Sequence, residues 1–196
     1  MKMWKITLVG AISILLLIVL VQNYFNPDFE TVRKEFSEDQ RQIDSLIGAF
    51  IKEPTVTFIE RNIIAGTVTV AAFKPGVLQP KAYEDFDRVV DVDVKSGVLK
   101  DFLQAHGMLL QDFQDIVIQM RSSGVAWISS RSDEKIPHIE IKYPVRSGFC
   151  AWYWQTPLQG HSITELDETV FVEEDADAEG SHIINERWVA YRYCSM

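Results

Sequence analysis

An acidic segment late in the chain has residue types and spacing that suit a calcium ion. An EF-hand-like loop needs oxygen ligands at positions 1, 3 and 5, a glycine at position 6 for the sharp turn and a bidentate glutamate at position 12. The chain places suitable residues at these positions, in the order Asp175, Asp177, Glu179, Gly180 and Glu186. Glutamate is uncommon at the fifth position and His182 replaces an aliphatic residue at the eighth, so an acidic, solvated hairpin loop is the competing interpretation.

A run of aromatic residues forms the second candidate site. In a strand, Trp152 and Trp154 share one face and Tyr153 takes the other. One face is expected to join the core. The other either joins it too or forms an exposed patch that grips a protein or a glycan. We therefore predict a partner-binding site that comprises Phe149, Trp152, Tyr153, Trp154 and, at its rim, Arg146.

The two cysteines, Cys150 and Cys194, suit a single disulfide. An even number of cysteines in an exported domain permits such a bridge in an oxidising compartment. Closing a loop of 45 residues would stabilise the fold by roughly 4 kcal/mol under the chain-entropy model. The alternative is a pair of buried free thiols in neighbouring strands.

No sequence motif for catalysis or cofactor binding is present. The chain lacks the nucleophile elbow, the His-Glu-x-x-His zinc motif, the phosphate loop, the dinucleotide fingerprint and Cys-x-x-Cys. Four carboxylates alternate with apolar residues and would suit either an envelope hydrolase or the wet edge of a strand or helix: Asp85, Asp87, Asp91 and Asp93. We therefore expect a protein that is not an enzyme and that has no cofactor apart from the calcium ion considered above.

The N-terminal segment predicts a membrane anchor. Residues 6–27 carry no charge over 22 positions, which reach about 33 Å as a helix against a hydrocarbon core of roughly 30 Å. A cleaved secretory signal is the rival interpretation. The chain after Leu20 lacks the small residues that a signal peptidase needs. We therefore expect a single-pass signal-anchor that contacts the membrane through residues 6–25.

The orientation of this anchor depends on flanking charges. Lys2 and Lys5 precede it, while Arg33, Lys34 and Arg41 follow it at a short distance, so the positive-inside counts are nearly balanced. We expect the short N-terminal tail to stay in the cytoplasm. The rest of the chain would then lie in the periplasm, held at a bacterial inner membrane.

The exported part is strongly acidic. It carries 17 basic residues, which are the 19 of the chain less Lys2 and Lys5, against 28 acidic ones, so its formal charge is −11. Such a surface repels nucleic acid and anionic lipid headgroups. It favours a basic protein as the partner.

A helix is predicted immediately after the anchor. Apolar residues recur at spacings of three and four, namely Phe29, Val32, Phe36, Ile43, Leu46, Ile47 and Phe50. Pro27 stands near the start of this helix and Pro54 beyond its end. Heptad spacing would also allow a coiled-coil homodimer through residues 29–50, although Asp39 interrupts the seam. The alternative is that the stripe packs on its own domain.

The remaining segments predict an α+β fold with a mainly antiparallel sheet. Alternating β-branched residues indicate strands at 55–59 and 67–71, and helical spacing precedes Gly107 and Gly124. Short β-rich segments then follow at 125–129, 136–143, 149–155, 169–172 and 183–193. The predicted organisation is an anchor at 1–26, a juxtamembrane amphipathic helix at 27–53 and an extracytoplasmic domain at 54–196.

Three classes of function are compatible with these features. The favoured class is a non-enzymatic binder, such as an immunity protein that neutralises a secreted or contact-delivered toxin, or a subunit of an envelope complex. The second is a sensor or ligand-binding module linked to calcium through residues 175–186. The third is an envelope hydrolase that uses the carboxylates of residues 85–93.

Overall fold

The computed structural model describes residues 12–18, 20–21, 27–75, 85–131, 136–144, 150–158, 160–170 and 178–194, and an antiparallel sheet lies at its centre. The eight strands are β1 Val56–Asn62, β2 Thr67–Phe73, β3 Phe86–Asp93, β4 Trp127–Arg131, β5 His138–Lys142, β6 Cys150–Pro157, β7 Ala178–Asn185 and β8 Trp188–Cys194. They lie in the order β3-β2-β1-β4-β5-β6-β8-β7. The predicted α+β class with a mainly antiparallel sheet is confirmed.

Three helices cover one face of this sheet, and a fourth lies on the other face. The covering helices are α1 Phe29–Phe50, α2 Gly97–Ala105 and α3 Leu110–Ser122, and the fourth is α4 Ile163–Val170. Helix α1 begins at Asp28, whose carboxylate accepts a hydrogen bond from the Thr31 amide at 2.8 Å, as an N-cap residue does. The buried residues of α1, α2 and α3 belong to the same core cluster as the inward-facing residues of the sheet.

The covered face is packed around the ring of Phe36. This ring stacks on Trp154 with centroids 4.0 Å apart, and it meets Tyr143 and Trp188 edge-on. The Tyr143 hydroxyl donates a hydrogen bond of 2.7 Å to Asp39. Asp39 therefore interrupts the apolar stripe of α1 because it satisfies a buried phenol.

The stripe of α1 packs on its own domain, so the coiled-coil interpretation is corrected. The seam side chains are buried against the sheet of the same chain with at most 1% exposure: Val32, Phe36, Ile43, Leu46 and Phe50. A homodimer through residues 29–50 would require these side chains on the surface. We therefore do not retain that dimer.

The predicted disulfide is confirmed. Cys150 and Cys194 are bonded, and they stand directly opposite each other in β6 and β8. The bridge thus joins two neighbouring strands at the end of the sheet where α1 begins.

Two of the predicted strands differ from the structure. The strand predicted at 169–172 overlaps the end of α4, which starts with a capping box in which the amide and side chain of Ser162 exchange hydrogen bonds with Glu165. The single strand predicted at 183–193 is divided into β7 and β8. Asn185 causes the division because its side chain accepts a hydrogen bond from the Arg187 amide at 2.8 Å and closes a turn.

The predicted anchor falls mainly on residues outside those described. Residues 12–18 and 20–21 are helical, and their apolar side chains are exposed. Within the described ranges, no helix is long and apolar enough to cross a bilayer. The anchor over residues 1–26 therefore stays a prediction.

Candidate functional site

The face of the sheet opposite α1, α2 and α3, which we call the open face, carries the candidate site. Side chains alternate between faces along each strand, and directly paired residues share a face. One row of paired residues is part of the core: Ile59, Ile128, Ile141 and Trp154. The adjacent rows therefore project from the open face, and they are Glu60, Trp127, Lys142, Tyr153 and Tyr191, then Phe58, Ser129, Glu140, Gln155 and Val189.

Helix α4 covers only one side of the open face. It contacts β6, β7 and β8, and its Leu166 is buried, as is Val189 of β8, although neither belongs to the main core cluster. Towards β1 and β4, the described residues place no helix over this face. Side chains there remain partly exposed, including Phe58 and Trp127.

Five aromatic rings form a continuous group on the open face, which we call the aromatic row: Phe58, Trp127, Tyr153, Tyr191 and Tyr193. Phe58 contacts Trp127 with centroids 5.6 Å apart, and Trp127 contacts Tyr153 at 5.5 Å. Tyr153 stacks on Tyr191 at 5.2 Å and meets Tyr193 edge-on at 6.5 Å. These separations lie in the favourable range for aromatic pairs.

A buried carboxylate holds one end of this row. Glu140 is only 4% exposed, and its Oε2 accepts hydrogen bonds from the Tyr191 hydroxyl at 2.6 Å and from Gln155 Nε2 at 2.7 Å. Its Oε1 accepts a longer bond of 3.4 Å from Arg131. Burying a charge is costly unless it is paired and hydrogen-bonded, so this network explains why Glu140 is tolerated here.

Two tyrosines of the row, Tyr153 and Tyr191, have pKa values raised above the ordinary value and are held in their neutral form. Burial raises the pKa of the Tyr191 phenol, and the adjacent Glu140 carboxylate raises it further. Burial also raises the pKa of Tyr153, again with a contribution from Glu140. Both phenols therefore act as hydrogen-bond donors and as stacking surfaces rather than as ionised groups.

Charges of both signs surround the row. The Arg88 guanidinium lies over the Phe58 ring, 5.9 Å from its centroid, and Lys142 and Glu60 occupy the same paired row as Trp127. Partly exposed aromatic rings with arginine beside them are the composition of a protein–protein contact surface. The oxygens of Glu140 are occupied by its three donors, so this carboxylate positions Tyr191 rather than presenting a base.

The structure corrects two of the predicted partner-binding residues. Trp152 and Trp154 face α1 and are buried in the core. Their indole N–H groups donate to backbone carbonyls, that of Trp152 to Pro27 at 3.2 Å and that of Trp154 to Tyr143 at 3.2 Å. Tyr153 lies on the open face as alternation requires. Phe149 and Arg146 lie outside the described residues.

Sequence reasoning missed the other members of the site. Trp127, Tyr191 and Glu140 occur in strands that were predicted, but nothing in a single strand shows which strand becomes its neighbour. The alternation of Trp127 with buried Ile128 was a usable local signal for two faces. Assembling the row required the strand order.

The calcium-loop prediction falls only partly on the described residues and stays a prediction. Residues 178–185 form strand β7, which includes Glu179, and Glu186 follows in the turn to β8. An extended strand separates these two residues instead of curling them around an ion. Asp175 and Asp177 lie outside the described residues. No group of three or more metal-binding side chains occurs among the residues that are described.

The carboxylates of strand β3 make local structural contacts. Asp87 Oδ2 lies 3.1 Å from Nε2 of His106. Asp91 accepts hydrogen bonds from Asn62 at 3.3 Å and from Thr67 at 3.1 Å, and Asp93 accepts one from the Lys95 amide at 2.7 Å. These contacts fit the interpretation of residues 85–93 as the wet edge of a strand.

No protein-family model matches this chain, and no curated protein or solved structure matches it either. The arrangement of residues on the open face is therefore the basis for the function.

Proposed function

We propose that this chain is a membrane-anchored, extracytoplasmic domain that binds a protein partner through the aromatic row and performs no catalysis. Its anchor would lie in a bacterial inner membrane, with the tail in the cytoplasm and the sheet in the periplasm. The observation that carries the proposal is the aromatic row itself, which is partly exposed on a face that α4 covers only at one side.

The row is suited to binding because it is ordered before a partner arrives. Tyr191 is tied to Glu140, Tyr153 stacks on Tyr191, and Trp127 packs against Tyr153. Ordering side chains on association costs affinity, so rings that are already fixed lose less. Tyrosine and tryptophan at such positions often contribute about 2 kcal/mol or more to binding.

The charge of the chain supports a basic partner. The whole chain has a formal charge of −9, which attracts a cationic protein over distances longer than direct contact. Charges beside the aromatic row are mixed, so this attraction would mainly accelerate association. A toxin delivered to the periplasm is a partner of this kind, and the corresponding role is that of an immunity protein, an argument by analogy from size, anchor and charge.

The proposal is tested by affinity capture with the full chain in mild detergent, against lysates and secreted proteins of the native organism and its relatives. We expect one stoichiometric basic partner that is toxic when expressed alone and harmless when this chain is co-expressed. Trp127→Ala and Tyr153→Ala should each weaken binding by about 30-fold, which corresponds to about 2 kcal/mol.

Ile118→Ala provides the matched control, because Ile118 is an exposed apolar residue of α3 on the covered side. This variant should bind and protect like the unmodified chain. Equal losses for Ile118→Ala and Trp127→Ala would exclude the aromatic row as the contact. A captured partner that is harmless when expressed alone, or that stays toxic when this chain is co-expressed, would exclude the immunity role.

A further inference from the structure

We infer that the tip of the β1–β2 hairpin, Ile63 and Ile64, inserts into the lipid surface beside the N-terminal anchor. The inference rests on the anchor that belongs to the proposed function. It adds a second point of membrane contact, which is separate from the aromatic row.

The hairpin tip is ordered and apolar. The Ala65 amide donates to the Asn62 side chain at 3.0 Å and the Gly66 amide donates to the Asn62 carbonyl at 2.8 Å, and Gly66 has a φ of 71° that suits glycine. The turn so formed leaves Ile63 55% exposed and Ile64 97% exposed. Turns normally carry polar residues, so two adjacent isoleucines presented to solvent are unusual.

The tip lies at the same end of the sheet as the start of α1. Backbone hydrogen bonds run across the strands in one line, from the Arg61 amide to Ala126, from the Ala126 amide to Lys142 and from the Tyr143 amide to Trp152. The Trp152 indole then donates to the Pro27 carbonyl. Arg61 and Pro27 are therefore at about the same level, and the tip projects beyond that level.

The reach of the tip matches the distance to the expected membrane interface. Ile64 stands three residues after Arg61, which extends at most about 10 Å at roughly 3.3 Å per residue. The segment predicted to contact the membrane, residues 6–25, ends two residues before Pro27. Two residues span at most about 7 Å, which is within the largest reach of the tip.

The two contacts would be laterally separate. Three strand intervals lie between β1 and β6, which is about 14 Å at roughly 4.8 Å per interval. Two points held at that spacing keep the sheet from tipping within its own plane, towards β1 or towards β6.

Electrostatic repulsion opposes insertion but is the smaller effect. Asp91 lies at the base of the hairpin, where it accepts hydrogen bonds from Asn62 and Thr67. One acidic charge near an anionic membrane reduces binding by about fivefold. Burying each isoleucine side chain favours insertion by about tenfold to a hundredfold, so the apolar contribution dominates.

The test places a nitroxide at position 64 of the full chain, through Ile64→Cys with the native disulfide intact, in phosphatidylcholine nanodiscs. Relaxation by oxygen and by a water-soluble nickel complex reports the depth of the label. We expect it to lie roughly 5–10 Å below the phosphate level. Leu109→Cys is the control, because Leu109 is an apolar residue with 69% exposure just after α2, at the opposite end of the sheet.

A label at Leu15→Cys tests the anchor independently of the hairpin tip. If the label at position 15 is deep and that at position 64 is as exposed to water as the one at position 109, the tip inference is wrong and the anchor stands. If the label at position 15 is itself in water, the anchor fails and the inference fails with it. Shielding of position 64 only after the protein partner is added would assign the tip to a protein contact instead and overturn the lipid proposal.

Discussion

The two faces of the sheet use aromatic residues in different ways. On the covered face, Phe36 lies parallel to Trp154 with centroids 4.0 Å apart, and both side chains are inaccessible to solvent. On the open face, Tyr153 stacks on Tyr191 at 5.2 Å and both remain partly exposed. Tyr153 and Trp154 are neighbours in the chain, so a helix on one side of a strand is what distinguishes a core residue from a surface one.

Polar groups differ between the faces as well. On the covered face, Asp39 reaches in from α1 to accept a hydrogen bond from Tyr143. On the open face, Glu140 comes from the sheet itself and accepts from Tyr191, Gln155 and Arg131. The covered face thus uses one polar pair to fix a helix, whereas the open face uses a network to fix a surface ring.

The largest expected difference between the covered face and the open face is at Phe36. Phe36→Ala should lower the free energy of unfolding by about 3–5 kcal/mol, because it leaves a cavity between α1 and Trp154. Phe58→Ala on the open face is the matched control and should cost less, since its ring is already partly solvated. Chemical denaturation followed by tryptophan fluorescence measures both, and equal losses would contradict the distinction between the faces.

Removing the disulfide should destabilise both faces together. Strand β8 contributes Trp188 to the covered face and Tyr191 to the open face. We expect Cys150→Ser with Cys194→Ser to lower stability by roughly 4 kcal/mol. A reductant added to the unmodified chain should lower the melting temperature to that of the double variant. An unchanged melting temperature under full reduction would oppose the prediction.

Removing one hydrogen bond from the Glu140 network of the open face should lower stability by a smaller amount. Tyr191→Phe removes the hydrogen bond to the buried Glu140 carboxylate, and bonds to charged groups contribute about 1.5–3 kcal/mol. Combining this change with Glu140→Gln should give a loss smaller than the sum of the two single losses. Tyr193→Phe, on an exposed ring, is the control. Strict additivity would show that the two groups do not interact.

Alkaline pH should weaken the open face selectively. Burial raises the pKa of Tyr191 above the 10.0 of an unperturbed tyrosine, so above about pH 10 the unfolded chain releases this proton while the folded chain keeps it. The contribution of the Tyr191 phenol to the free energy of unfolding is therefore fully present below about pH 10. Above about pH 10 it decreases by about 1.4 kcal/mol per pH unit. Chemical denaturation at about pH 9 and about pH 11 measures this effect. The free energy of unfolding should decrease less between these pH values for Tyr191→Phe than for the unmodified chain. An equal decrease in both would contradict the prediction.

Much of the fold could be predicted because it depends on local patterns. The spacing of apolar residues located α1, and alternation located β1 and β2. Residues 169–170, predicted as the start of a strand, belong to α4 instead, whose capping box at Ser162 was overlooked; residues 171–172 lie outside the described residues. Local signals of this kind are present in the sequence and could have been used.

The candidate site was harder to predict because it depends on pairing between distant segments. Phe58 and Tyr191 belong to one group of rings only because β4, β5 and β6 lie between their strands. The choice of Trp152 and Trp154 as surface residues failed for a related reason, since the position of α1 decides which face of β6 is covered. Alternation divides a strand into two faces, but only tertiary packing decides which of them is open.

The position of β8 in the sheet affects how this protein folds during synthesis. It is the last of the eight strands along the chain, yet it lies between β6 and β7. During synthesis the earlier strands emerge first, and β6 and β7 have no β8 to pair with until the chain has been made as far as Cys194. Exposed strand edges invite aggregation. A chain truncated before Trp188 would therefore be removed by proteases or aggregate, rather than persist as a partly functional domain.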